Sequence, residues 1–230
     1  MRPGIPDKLA GMTLAPEVYG KLLLTERDAL LPILRRTPEA AFDLPTVCDL
    51  WSVRDVIAHC VAALTRVATG NLHGFTPEDN QADVEAKRGL SVSELLAELE
   101  KAYDLGAASP EIYRVALGEW IHGGDIREAL GEPGAYASDG VDDALDILVE
   151  RSVRREAPPT DVRLTGVGET SPDGSSAGTR SLRLGDPDAM HAAELVTDVE
   201  GLFRIVANRR PELAVAELTG VTVRELRMFS

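Results

Sequence analysis

The residues of this chain that could do chemistry gather in two stretches. In Glu119-Trp120-Ile121-His122-Gly123-Gly124-Asp125-Ile126-Arg127, a carboxylate, an imidazole and a second carboxylate recur at three-residue steps. Residues three apart share a helical face, so Glu119, His122 and Asp125 can project toward one point. A second imidazole, His59, closes Trp51-Ser52-Val53-Arg54-Asp55-Val56-Ile57-Ala58-His59. Imidazole and carboxylate side chains on facing helices can hold a divalent transition ion, and a catalytic zinc takes three protein ligands with a position left open. His59 and His122 would supply two ligands, and Glu119 or Asp125 the third. Asp125 has another role open to it, as the acceptor that fixes a histidine tautomer.

The other reactive side chains carry less. Cys60 follows His59, but neighbours on a helix point about a quarter turn or more apart, so it is not read as a ligand. Cys48 and Cys60 are too few for a disulfide framework and read as small buried hydrophobes. His73 reads as a loop residue, His191 as exposed, and Trp51 and Trp120 as core anchors. The serine-rich stretch 170–179 lacks a paired base, and neither a phosphate loop nor a dinucleotide fingerprint occurs.

These residues need helices to position them. Apolar residues recur at helical spacing over 15–36, with Pro32 near the end. Ser52 and Asp55 make a capping box for a helix over 53–69, and Ser91 with Glu94 makes one for a third helix. Between them, 71–89 reads as a long polar crossover with a helical patch near 83–87. A fourth helix from about 110 to 130 carries Glu119, His122 and Asp125 and ends at Gly131-Glu132-Pro133-Gly134. Four long helices with one long crossover predict a four-helix bundle, which brings side chains of facing helices together in its core. A fifth helix is expected over 141–154. Alternation over 162–166 and 180–184 predicts a hairpin with a long loop. Residues 192–208 read as an amphipathic helix and 211–218 as a short one, with 1–14 an extended arm. The expected class is mainly α with a smaller α+β part, divided at 1–136 and 137–230.

Two motifs carry a resemblance. Cys48-Asp49-Leu50-Trp51-Ser52-Val53-Arg54-Asp55-Val56-Ile57-Ala58-His59 resembles the pattern Cys-Pro-Gly-Trp-Thr/Ser-Val-Arg-Asp-Val-x-Ala-His of the mycothiol-dependent maleylpyruvate isomerase family. Leu117-Gly118-Glu119-Trp120-Ile121-His122-Gly123-Gly124-Asp125-Ile126 resembles that family's Leu-Glu-x-Trp-Val-His-Gly-x-Asp-Ile. The resemblance implies a DinB-like four-helix bundle followed by a small domain similar to sterol-carrier proteins. It implies a divalent metal, usually zinc, bound by His, Glu and His, and isomerase or transferase chemistry with the thiol mycothiol. His59 and His122 carry over as ligands. The family's glutamate falls on Gly118, which leaves Glu119, displaced by one, as the carboxylate ligand and Asp125 as the next candidate. Arg209, in Asn208-Arg209-Arg210-Pro211, aligns with a Gly-Arg-Arg-type segment and is the candidate anion clamp. The alternative is a protein of the same fold that binds a small ligand without turnover.

Bulk composition sets limits. A formal net charge of -14 disfavours nucleic acid and anionic membranes as partners. No apolar run approaches the roughly 18 residues of a membrane span, and the first residues lack the plan of a signal peptide. A cytoplasmic enzyme acting on a small molecule and a thiol is the expectation.

Overall fold

The computed structural model describes residues 14–48, 50–73, 75–166 and 178–229. Most of the arm expected over 1–14, and the body of the hairpin loop, lie outside the described residues. The chain divides into two compact units that part near Ala144 and Leu145.

In the first unit α1 spans Pro16–Arg36 and continues through Pro32. A 3-10 turn at Glu39–Asp43 leads to α2, Val53–Ala68. The capping box read in the sequence is formed: Ser52 accepts from the Asp55 amide, and Asp55 accepts from the Ser52 amide at 3.0 Å. The crossover holds α3, Pro77–Ala86, longer than the expected patch. Thr76 caps it and Pro77 opens it, a start signal independent of hydrophobic period. The helix is mostly solvated and has no apolar stripe to read.

α4, Val92–Ala107, starts on the Ser91–Glu94 box. The next helix begins later than expected. Ser109 Oγ donates to the Val67 carbonyl at 2.9 Å, tying this segment to the end of α2, and Ile112–Arg114 make a 3-10 turn. α5 then runs Ala116–Ala129. Helices α1, α2, α4 and α5 form the bundle: α1 packs on α4 and α5, and α2 packs on the same two. Its core includes Leu22, Leu30, Ile57, Leu64, Leu95, Tyr103 and Trp120, all essentially inaccessible.

α6, Val141–Arg154, matches its expected limits and leads into the second unit. There β1 (Thr160–Thr165), β2 (Thr179–Leu184), β3 (Ala193–Thr197) and β4 (Glu217–Thr219) form a sheet of order β2-β1-β3-β4. β1 and β3 are parallel, and the outer pairs are antiparallel. Two expectations are corrected here. Residues 192–208 are not one helix but β3 followed by α7, Val199–Ala207, because Asp198 caps α7 and cuts the apolar run. The segment 211–218 is a 3-10 turn at Pro211–Leu213 and then the start of β4, drawn into extended form by pairing with β3. The protein is mainly α with a small α+β part.

Candidate metal centre

Two helices and one loop build the centre. α5 contributes His122 and Asp125, one turn apart on one face. The loop before α2 contributes Cys48, and α2 contributes His59. Asp125 is fully buried. Its Oδ2 accepts from His122 Nδ1 at 2.9 Å and from Cys48 Sγ at 3.0 Å. Cys48 Sγ and His122 Nδ1 stand 3.8 Å apart. The other oxygen, Oδ1, accepts from Tyr136 Oη at 2.8 Å, and Tyr136 Oη also lies 3.0 Å from Glu128 Oε2. Among the described residues, Cys48, His122 and Asp125 are the one group of three such side chains whose ligand atoms all lie within 4.8 Å of one another.

His59 borders this cluster. Its ring stands 5.0 Å from that of His122, nearly perpendicular, and 4.9 Å from that of Trp51. Trp51 is held in turn by Gln81 of α3, which accepts from Nε1 at 3.0 Å. The crossover helix therefore fixes the wall behind His59. His59 Nδ1 is buried without a hydrogen-bond partner. Burial first, and then the nearby positive charge of His122 and Arg66, lowers the His59 pKa to about 3, so its ring is neutral. His122 goes the other way. Burial works against its charge, but the bonds to Asp125 and Cys48 outweigh that and raise its pKa to about 10.

Glu119 lies close enough to feel the charge of His122 but outside the group of three. It is buried and hydrogen-bonded with Cys60, and its Oε2 has no partner. Burial raises its pKa to about 7, against the pull of His122 and of the Cys60 bond. Gly118 is different again, since a Cβ there would meet nothing within 4 Å. Of the sequence-expected residues, then, His122 and Asp125 come together, His59 sets its ring against that of His122, and Glu119 pairs with Cys60 within reach of the His122 charge. Arg209 lies in the other unit just past α7, where its Nη1 donates to the Ala207 carbonyl at 3.3 Å. His73 is exposed in the crossover and its carbonyl accepts from Arg66, and His191 is exposed as read. Trp120 is a core residue, while Trp51 is half-buried against His59.

Sequence reasoning passed over Cys48 and Tyr136. Cys48 sits on a loop, so no helical period marked it; the signal was that it opens the motif that His59 closes. Tyr136 follows the turn that ends α5 and folds back onto that helix. The room for it was written in the doublet Gly123-Gly124: a Cβ on Gly124 would overlap the Tyr136 ring, and one on Gly123 would overlap Glu26 Oε1. Glu26 is the fully buried partner of Arg127, 2.9 Å away.

Residues 23–112 match the family model described as mycothiol maleylpyruvate isomerase N-terminal domain. That span includes Cys48 and His59 and ends before Glu119, His122 and Asp125. Two solved structures are similar: the mycothiol-dependent maleylpyruvate isomerase, with a TM-score of 0.51, and a histidine-to-alanine mutant of it, with a TM-score of 0.53. Each is 14% identical and covers 91% of this chain and 95% of that chain, a likeness of fold. No curated protein matches the sequence. The sequence match over 23–112 and the likeness of fold both point to the mycothiol maleylpyruvate isomerase N-terminal domain as what the bundle of this chain resembles.

Proposed function

We propose that the protein is a divalent-metal-dependent enzyme that uses a low-molecular-weight thiol, of the mycothiol class, to isomerise or conjugate a small electrophilic substrate. The observation that carries this reading is the convergence of Cys48, His122 and Asp125 within 4.8 Å in a bundle that resembles that domain. The donor chemistry fits an ion of zinc type: one thiol, one imidazole and one carboxylate leave a fourth position for a thiol. His59 Nδ1 and Glu119 Oε2 are buried without partners, and they are donors for a second arrangement rather than for this one. The set implied by the family resemblance, His59, His122 and Glu119, is the competing arrangement and shares His122 with ours.

When bound, such an ion would lower the pKa of a thiol and hold it as the thiolate nucleophile. In the metal-free site Asp125 accepts the His122 Nδ1 proton and orients the ring, and an ion held by both side chains would displace that proton. Before an ion binds, protonated His122 places positive charge 3.8 Å from Cys48 Sγ, which favours negative charge on sulfur there and so prepares it as a ligand. Glu119, with a pKa of about 7, can hold or release a proton at its buried carboxyl near neutral pH. Trp51 and His59 stack along the edge of the centre beside His122. Addition of a thiolate to an activated double bond leaves a single bond about which the adduct can rotate. Expulsion of the thiolate then returns the isomer, and retention with uptake of a proton gives a conjugate. Arg209 is proposed as an anion-binding residue within the second unit. The proposed metal chemistry belongs to residues 1–136, and residues 137–230 are the small α+β domain.

A second reading, a non-catalytic binding protein, draws on Gly118, which offers open space where the family places a glutamate. The two readings separate on turnover. Zinc-loaded protein is expected to isomerise maleylpyruvate, or to consume the thiol with a related electrophile, only when mycothiol is present. His122→Ala is expected to lose both metal and turnover while keeping its circular dichroism. Metal retention without any turnover would favour the binding protein.

A further inference from the structure

We infer that Tyr136 is a positioning residue that restricts Asp125 to one ligating oxygen and so favours a four-coordinate ion of zinc type at Cys48, His122 and Asp125. The inference rests on the proposed metal site and deepens it. Asp125 has two oxygens with different surroundings. Oδ2 faces Cys48 and His122, and Oδ1 is taken by the Tyr136 hydroxyl at 2.8 Å. A carboxylate whose second oxygen is held by a buried donor does not readily offer both to an ion.

The position of the hydroxyl is built rather than incidental. Tyr136 is fully buried. Its ring occupies the space that a Cβ on Gly124 would need, one residue before Asp125. Glu128 Oε2, one turn beyond Asp125, lies 3.0 Å from the same oxygen as the longer, alternative acceptor of its one proton. A core tyrosine needs only a seat for its ring. Here the oxygen is aimed at the far side of the one carboxylate that the cluster shares. With one oxygen from Asp125, the protein supplies three donor atoms and leaves a fourth position open, the pattern of a catalytic zinc site. With both oxygens released, the donor count rises and the site suits larger coordination numbers and harder ions.

The test uses the full chain, stripped of metal and reloaded with cobalt(II) as a spectroscopic stand-in for zinc. The wild type is expected to show a thiolate-to-cobalt charge-transfer band with the intense visible bands of four-coordinate cobalt. Tyr136→Phe keeps the ring and removes the oxygen. It is expected to keep the charge-transfer band, to show the weaker visible bands of higher coordination, and to bind zinc about 10–100-fold more weakly in competition with a chromogenic chelator. Gly124→Ala pushes the ring away while keeping the hydroxyl, and is expected to reproduce the Phe spectrum. A wild-type spectrum and zinc affinity in either folded variant overturns the inference while leaving the site intact. Absence of the charge-transfer band from the wild type instead removes Cys48 from the site, and the inference falls with the reading beneath it.

Discussion

Asp125 serves three donors with two oxygens, from a position that solvent does not reach. Its negative charge is what keeps His122 protonated against burial. Asp125→Asn is therefore expected to lower the His122 pKa from about 10, because burial is then opposed by Cys48 alone. Proton NMR titration of the ring signals in metal-free protein measures this, and an unchanged His122 titration would show that Asp125 is not its anchor. Glu26 is a second buried carboxyl, facing Arg127 across the α1–α5 contact. Removing one member of a buried pair strands the other, so Glu26→Ala is expected to cost about 3–5 kcal/mol in urea denaturation. These two residues were legible to different degrees. Asp125 shares a helical face with His122, and spacing alone exposed it. The pairing of Glu26 with Arg127 joins residues of two helices far apart in sequence, and no local pattern announces it.

Helix α5 carries glycines whose neighbourhoods differ. At Gly118 a side chain has open space, whereas at Gly123 it would overlap Glu26. Alanine is the better helix former by about 0.5–1 kcal/mol, so Gly118→Ala is expected to stabilise by about that amount. Gly123→Ala is expected to destabilise by about 1–3 kcal/mol through overpacking. Thermal melts of the two variants decide this, and equal shifts would mean that Glu26 moves aside at little cost. At this scale, α2, with a cap and a strong apolar stripe, is legible nearly to the residue, and the start of α4 is marked by its capping box. α3 was read short because it is polar nearly all round. The run 192–208 was read as one helix because β3 and α7 abut, and only Asp198 separates them. The carboxylate question at Gly118 and Glu119 was visible as a one-residue displacement. That Glu119 faces Cys60 follows from packing, which spacing does not give.

For the whole molecule, charge buried in the bundle sets how it answers to pH. Glu26, Glu119 and His122 all hold their protons more tightly in the folded state, at about 7, 7 and 10 against ordinary values of 4.5, 4.5 and 6.5. Burial raises the two glutamates, and Asp125 and Cys48 raise the histidine. His59 is shifted the other way, to about 3, and its contribution is complete once pH exceeds 6.5. Above that point the native state binds more protons than the unfolded chain, so bundle stability is expected to fall as pH rises from about 6.5 to about 10, by a few kcal/mol. Both tryptophans, Trp51 and Trp120, lie in the first unit. Fluorescence-detected urea unfolding of metal-free protein therefore reports on the bundle without the second unit. A flat profile over that range would mean that these protons are not bound as the packing implies.

The central claim is that the ion binds at Cys48, His122 and Asp125. Zinc content after reconstitution and dialysis, in untagged full-length protein, tests it most directly. The account predicts about one bound equivalent in the wild type, nearly complete loss in Cys48→Ser, and retention in Glu119→Gln, because a ligand's loss is felt more than that of a carboxyl outside the cluster. Retention in Cys48→Ser together with loss in Glu119→Gln would contradict it and place the ion between His59, His122 and Glu119.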